Sequence, residues 1–571
     1  MAEFKFRALE IHSQHAWNYD WVMKSLRFMK EHNLNSLVLH RNDLIDLIVY
    51  PGKYFGAIRK KYNTIFERYQ DIFRVLYKYT PTRRSGPYQR RAYLKRVIEM
   101  AKREGIEVYI ENKELYFPEI ILEFYPELVK DGKICANEPF WWDFTKIKFQ
   151  EFFEEFPDIA GIITAPATGE SKVSITSNRC TCELCKHTTR QEWFKNLALA
   201  MFEPIHAAGK KLIIRDFVFD AKAHHDIADA MDQLPTEIAF ALKNTPHDFY
   251  PTFPDNPRIG KMGGHEQWIE YDSMGQYFGW GIGAAIMVDD YRRRLKLAKD
   301  NGAAGVIIRT DWESLDGHTS FDTLNFINLY AFSALANDLD ADSTAIYRQW
   351  LEDKSFFKPD LTADQKRDTT VWVESIVGQT WEVTKRTPYV NDCVFSDSSQ
   401  LPISFEHALW LAEEKNSLKD WVPAKAAALN TDEANVEFIL VEKDQALALV
   451  RQLLLQVREG HKGITHEAHQ YLIDCFENFE RYVLAFRAVV HSVILTKYKL
   501  EQPENSDSIF AKGAERLLNK SLDDLMKLAG QFNELFETTD FNHRVYTLLD
   551  ADRLTALHSD LNRRLGRGSD Q

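Results

Sequence analysis

The sequence predicts a (β/α)8 TIM barrel followed by an α-helical C-terminal domain, on three observations. Short β-rich runs, each ending in polar residues, recur eight times over roughly the first 320 residues. Helix-length amphipathic segments separate them, and beyond about residue 335 strand signals give way to long helices. Strand and helix in alternation build a parallel sheet, and eight such units are the number that closes a barrel. A doubly wound open sheet is the other arrangement of the same pattern. The expected division is a barrel over 1–335 and a helical domain over 336–571.

In chain order, strands are expected at 6–12, 35–40, 106–111, 159–164, 211–216, 237–243, 261–268 and 304–310. Between them, YDWVMKSLRFMKEHN, QEWFKNLALAMFEPIHAAG and DDYRRRLKLAKDNG place apolar residues at three- and four-residue spacing, the period of an amphipathic helix. Gly209 and Gly302 stand where such helices end. The second connection, 44–104, exceeds a minimal crossover and carries KYTPTRRSGPYQRR, an excursion of the kind that folds over a barrel mouth. Helices are then expected at 431–458, 464–499, 509–537 and 541–563, with Thr431, Asp432 and Glu433 as a helix start. Such a helical region offers a packing surface, including one for a homodimer.

Composition narrows the function classes. With 45% hydrophobic and 27% charged residues the chain can bury a large core, which excludes wholesale disorder. A net charge of −13 gives no general footprint for nucleic acid or an anionic membrane surface. The most apolar late run, ALALVRQLLLQV, falls short of the about 20 residues a membrane span needs. The first residues lack the basic, apolar and small-residue order of a secretory signal, so a cytoplasmic protein is expected.

Active sites of barrels sit at the C-terminal ends of the strands, so polar residues just past each strand carry the most weight. That rule selects His12, His15 and Trp17; His40, Arg41 and Asp43; Glu111 and Glu114; and Glu170. Further along it selects Arg215 and Asp216; Lys243, Asn244 and Asp248; Glu266 to Asp272; and Asp311, Trp312 and Glu313. Each acid taken singly also reads as a salt bridge or a helix cap. Together, carboxylates around one pocket suit glycoside hydrolysis, in which one acid protonates the leaving oxygen and another carboxylate activates water or attacks the anomeric carbon. Trp268 and Trp312 offer flat faces for sugar rings, and His12 and Glu111 offer partners for hydroxyls.

Five stretches occur in a particular order: ITAPATGES (163–171), IIRDFVF (213–219), LKNTPHDFYP (242–251), EQWIEYDSMGQ (266–276) and NLYAFSALANDLDAD (328–342). In that order and setting they resemble the family 67 α-glucuronidases. The resemblance implies an inverting, exo-acting glycosidase with a (β/α)8 barrel and a helical domain after it, acting on a small acidic oligosaccharide. It implies Glu170 as general acid, Asp248 as a water-activating carboxylate, and Arg215 and Lys243 as holders of the uronic carboxylate, beside Asn244. The family's second catalytic glutamate aligns with Asp272, with Glu266 and Glu270 close by in the sequence. The lysine expected four residues before the acid is Pro166, and the family's N-terminal accessory domain is absent ahead of the first strand.

FMKEHNLNSLVLHRND (28–43) is similar instead to the early barrel of family 20 β-hexosaminidases. Those enzymes pair an aspartate with the glutamate after the fourth strand, whereas Gly169 precedes Glu170 here. A β-N-acetylhexosaminidase-like glycosidase is therefore the second reading, and a non-catalytic carbohydrate-binding barrel the third. No cofactor is expected for catalysis. CTCELCKH brings Cys180, Cys182, Cys185 and His187 into one turn-rich segment, donors of the type a structural zinc uses. Reduced thiols or a regulatory disulfide are the other readings.

Overall fold

The structure, a computed structural model, describes residues 3–54, 81–113, 115–119, 121–165, 171–175, 180–216, 228–315, 317–501, 509–540 and 542–567, with the side chains of 81–86 left aside. Glu114 and Glu170 lie outside the described residues.

Eight parallel strands close a barrel: β1 (Phe6–Ile11), β2 (Ser36–His40), β3 (Glu107–Glu111), β4 (Gly161–Thr164), β5 (Lys211–Arg215), β6 (Ala239–Lys243), β7 (Gln267–Asp272) and β8 (Gly305–Arg309). Each strand pairs with its sequence neighbours, and β8 returns to β1 with Phe6 opposite Gly305 and Glu10 opposite Arg309. Closure leaves no unpaired edge, which is how short strands of this kind are all satisfied.

Side chains alternate between the two faces of a strand, so every second residue points into the barrel. The inward set is Phe6, Ala8, Val38, Tyr109, Ile163, Ile213, Ala239, Ala241, Trp268 and Ile307, a continuous apolar core. Trp268 sits in this core, its ring 4.7 Å from Phe6 and 5.2 Å from Tyr109. Gly305 makes room for it, since a Cβ there would come within 3.0 Å of the Trp268 ring. Gly161 gives room to its neighbours, since a Cβ there would come within 2.5 Å of the Lys211 carbonyl oxygen and 3.1 Å of Tyr109.

One strand starts later than its sequence suggests. The expected run 261–268 contains Gly263, at φ +59°, and forms turns instead, while β7 runs from Gln267 to Asp272. Gly263 is free to adopt the left-handed region that breaks a strand, and the apolar alternation that a barrel wall needs begins only at Trp268.

The chain forms two compact units. One comprises Met1–Asp248, Asn256–Tyr271 and Lys296–Gly317 and holds the barrel; the other comprises Phe249–Asp255, Asp272–Leu295 and His318–Gln571. The second is mainly helical, with long helices at Glu433–Glu459, His466–Glu501 and Ile509–Thr538. The first of these starts on Asp432, whose side chain accepts from the Asn435 amide, one residue after the expected Thr431. The expected helix 541–563 is two helices, His543–Leu548 and Ala551–Arg564, each with its own side-chain N-cap, Asn542 and Asp550. Among the described residues no helix is long and apolar enough to cross a membrane.

Candidate active site

Two residues beyond the apolar core, toward the C-terminal end of seven of the eight strands, the inward face turns polar; on β4 the residue after Ile163 in this register is Ala165. Ala8 is followed by Glu10, Val38 by His40, Tyr109 by Glu111, Ile213 by Arg215, Ala241 by Lys243, Trp268 by Glu270 and Ile307 by Arg309. All seven of these polar residues are buried. The period-2 geometry of a strand therefore lays a charged floor directly on the apolar core.

Buried charges persist only when paired, and here the partners are each other. Arg215 Nη1 donates to Glu111 at 2.6 Å, while its Nε and Nη2 donate to the two oxygens of Glu270 at 2.7 and 2.5 Å. These contacts pass from β5 to β3 and to β7, skipping the strands between, which only side chains inside a barrel can do. Glu10 accepts from His12 Nδ1 at 2.5 Å and lies 2.9 Å from His40 Nδ1; His40 Nε2 lies 3.3 Å from Glu111. Lys243 Nζ donates to Asp248 at 2.6 Å and faces Glu270 electrostatically. One network thus runs Asp248, Lys243, Glu270, Arg215, Glu111, His40, Glu10, His12, and ends on Glu313, 2.8 Å from His12 Nε2.

Asp311 builds a second cluster at the end of β8, accepting from the His12 amide at 2.5 Å, from Ser13 Oγ, and from His15 Nδ1 at 2.9 Å. Above this side of the floor opens a cleft of about 270 Å³ lined by His12, His40, Arg41, Asp43, Tyr116 and Glu313 among others. That volume lies just below the usual range of ligand clefts, about 300–1,000 Å³. Arg41 is oriented there by its Nε bond to Asp43, 2.6 Å.

The pairing sets the protonation states. Burial by itself would lower the His12 pKa, but the Glu313 and Glu10 carboxylates on its two nitrogens outweigh it and hold the ring up at about 9. His40 goes the other way: burial lowers it, with the His12 charge adding to that. Glu10 lies well below the usual carboxylate range, since its hydrogen bonds to His12 and His40 overcome the effect of burial. Burial also brings Lys243 down to about 8 against the pull of Asp248.

A pH prediction follows. His12 binds its proton more tightly folded than unfolded, so its contribution is fully present below its ordinary pKa of 6.5 and is lost as pH rises through about 9. Glu313 is held low by His12 despite partial burial, so its contribution is present above its ordinary 4.5 and lost as pH falls. Glu313→Gln is expected to lower the His12 pKa and to flatten the loss of stability between pH 6.5 and 9. NMR titration of the His12 ring, with unfolding midpoints measured across that range, checks this. A wild-type His12 titrating near its ordinary value would refute the assignment.

The residues singled out from the sequence fall as follows. Glu111, Arg215, Lys243, Asp248 and His12 share the network above. Asn244 is buried beside it, its amide donating to the Glu270 carbonyl at 3.0 Å. Trp312 follows β8 and is partly exposed. Asp272 closes β7, and its carboxylate accepts from the backbone amides of Met274, Gly275 and Gln276 at 2.9–3.3 Å, the work of a turn cap.

Glu266 and Trp268 are corrections. Because β7 begins at Gln267, Glu266 stands at the N-terminal end of the barrel, bonded to Lys211 at 2.7 Å and to Trp268 Nε1 at 2.9 Å. Trp268 is a core residue, fully buried, and has no face to offer a sugar. The same shift brings Glu270 to the floor, in the place the sequence reading gave its neighbours. Glu10 and Arg309 were not singled out from the sequence, although a charged residue inside each apolar strand run was the available signal.

The expected metal ligands are also partly redrawn. Cys180, Cys182 and Cys185 come together, but His187 lies outside, its side chain 80% exposed and 3.6 Å from Glu183. The fourth member of the cluster is Cys135, with all four Sγ atoms within 4.8 Å of one another. It arrives from a separate connection, which spacing along the sequence could not reveal.

Comparison with solved structures finds the same overall fold in an enzyme of known structure. A GH138 enzyme targeting pectin rhamnogalacturonan II superposes with a TM-score of 0.63 at 14% identity, covering 99% of this chain and 84% of that one. A likeness at that identity establishes a shared fold. An O-GlcNAc hydrolase mutant from Thermobaculum terrenum (TM-score 0.44, 10% identity, 99% of this chain, 97% of that one) is more distant. So is a GH115 4-O-methyl-α-glucuronidase with specificity for decorated arabinogalactans (0.44, 10%, 100% and 62%). No protein-family model matches the sequence, and no curated protein matches it.

Proposed function

We propose that this protein is a glycoside hydrolase, an inverting, exo-acting enzyme of α-glucuronidase type that releases a uronic acid from small acidic oligosaccharides. The observation that supports this best is the Lys243–Asp248 pair, 2.6 Å apart at the end of β6 and joined through Glu270 and Arg215 to the rest of the charged floor. A carboxylate fixed by a buried ammonium is oriented in advance, as a group that polarises water at an anomeric carbon must be. Glu170, in the connection after β4, is the general acid of this reading. Arg41, on the cleft lining, offers a guanidinium whose planar fork suits the carboxylate of an acidic sugar. An inverting reaction needs the acid and its opposing carboxylate about 6.5–9.5 Å apart, with room for water between them.

The test is product formation from a panel of uronic and neutral oligosaccharides, followed by NMR of the first product released. The expected result is release of the uronic acid from its α-linked glycosides with the β-anomer appearing first, and a loss of about 10²–10⁴ in turnover for Glu170→Gln. Binding without product would make this a carbohydrate-binding protein. Equal release of neutral and acidic sugars would remove the uronic-acid assignment.

A further inference from the structure

We propose that Cys135, Cys180, Cys182 and Cys185 hold a structural zinc ion that staples together two connections leaving the C-terminal ends of the neighbouring strands β3 and β4. The inference is independent of the reaction proposed above. Four sulfurs about 2.3 Å from a zinc ion form a tetrahedron with edges of about 3.8 Å. Here Cys135 Sγ lies 3.5 Å from Cys182 and 3.7 Å from Cys185, and Cys180 Sγ lies 3.3 Å from Cys185. The side chains therefore already stand near the corners that an S4 site requires, without rearrangement of the backbone.

Polar N–H donors surround the sulfurs. Backbone amides point at the sulfurs: that of Asn137 at Cys135, that of Cys182 at Cys180, and that of Cys185 at Cys182. The Asn137 side chain adds a bond to Cys185 at 3.3 Å. Such second-layer donors orient metal ligands and spread their charge. Four thiolates on a divalent ion carry a net charge of −2, and the Lys130 ammonium faces Cys135 and Cys182 electrostatically.

Both arms are built to present their ligands. Cys135 follows a short hairpin, Val129–Lys130 paired with Lys133–Ile134, and its carbonyl is pinned by Trp141 Nε1 at 2.9 Å. Cys182 is the N-cap residue of the helix Glu183–His187, and Cys185 lies in its first turn. Trp193, from the following helix, donates to the Ala136 carbonyl at 2.9 Å and holds the two arms side by side. Cys135, Cys180 and Cys185 are buried, whereas His187 is in solvent, so the four-cysteine set excludes the histidine.

Metal analysis of the full-length protein, purified without chelator, tests the proposal. We expect close to one zinc per chain, the stoichiometry of a closed S4 site. Cys135→Ser should reduce bound zinc at least about tenfold, as loss of a ligand exceeds the about 10–100-fold effect of losing a second-layer partner. His187→Ala should leave it unchanged. Should Cys135→Ser fail to fold, wild-type protein loaded with cobalt reports the same site through thiolate-to-cobalt charge-transfer bands and tetrahedral d–d absorption. Zinc below about one-tenth of an equivalent would overturn the proposal, against the full equivalent of a structural site. So would iron in its place, or mass spectra showing the four cysteines joined as disulfides. Loss of zinc in His187→Ala with retention in Cys135→Ser would overturn this ligand set.

Discussion

Arg215→Met is expected to destabilise the barrel by about 3–5 kcal/mol, the cost of removing one partner from a buried ion pair. Arg215 is 4% exposed and serves two carboxylates that are more buried still, Glu111 and Glu270. Its guanidinium is driven well above its ordinary pKa because the pull of Glu111 and Glu270 exceeds the effect of burial. Without it, two negative charges remain side by side in a low-dielectric interior. The penalty belongs to the orphaned charges, so adding Glu111→Gln and Glu270→Gln should recover most of the loss. Chemical unfolding of the single and triple variants measures both effects. A single variant within about 1 kcal/mol of wild type would mean that other groups satisfy the two carboxylates.

Asp248→Asn is expected to lower kcat by about 10²–10⁴, the typical contribution of a positioned acid–base group, with a smaller change in KM. Two causes combine. The amide cannot take a proton from the attacking water, and Lys243 loses the charge that holds its pKa up. Burial already brings Lys243 to about 8, so without Asp248 its ammonium should lose its proton at lower pH. A structural role alone would not move the pH profile. The expected signature is therefore a low rate together with a shift of the alkaline limb of kcat/KM to lower pH. Unchanged kcat on a substrate that the wild type hydrolyses would remove Asp248 from the chemistry.

Much of this arrangement was legible in the sequence. The runs 6–12, 35–40 and 106–111 end on a charged or imidazole side chain and each became a barrel strand, with His40 and Glu111 on the floor and His12 just past the end of β1. Lys243 and Asp248 were both legible as site residues, in separate roles, and the structure joins them in an ion pair at 2.6 Å. The seventh strand was displaced because Gly263 and Gly264 interrupt a run that otherwise looks extended. A slip of that size carries a residue from one end of a barrel to the other, which is why Glu266 and Trp268 changed roles and Glu270 gained one.

The sequence by itself determined the barrel, the polar ends of its strands and three of the four clustered cysteines, since all of these follow from periodicity or from neighbours along the chain. Only the tertiary structure decided that Arg215 bridges Glu111 and Glu270, that Glu10 anchors His12 and His40, and that Cys135 rather than His187 completes the sulfur cluster. Local preferences act over a few residues, whereas the Glu10–His40, Arg215–Glu270 and Arg215–Glu111 contacts join positions 30 to 104 residues apart. Their geometry exists only once the closed sheet has fixed which strand ends face each other across the barrel.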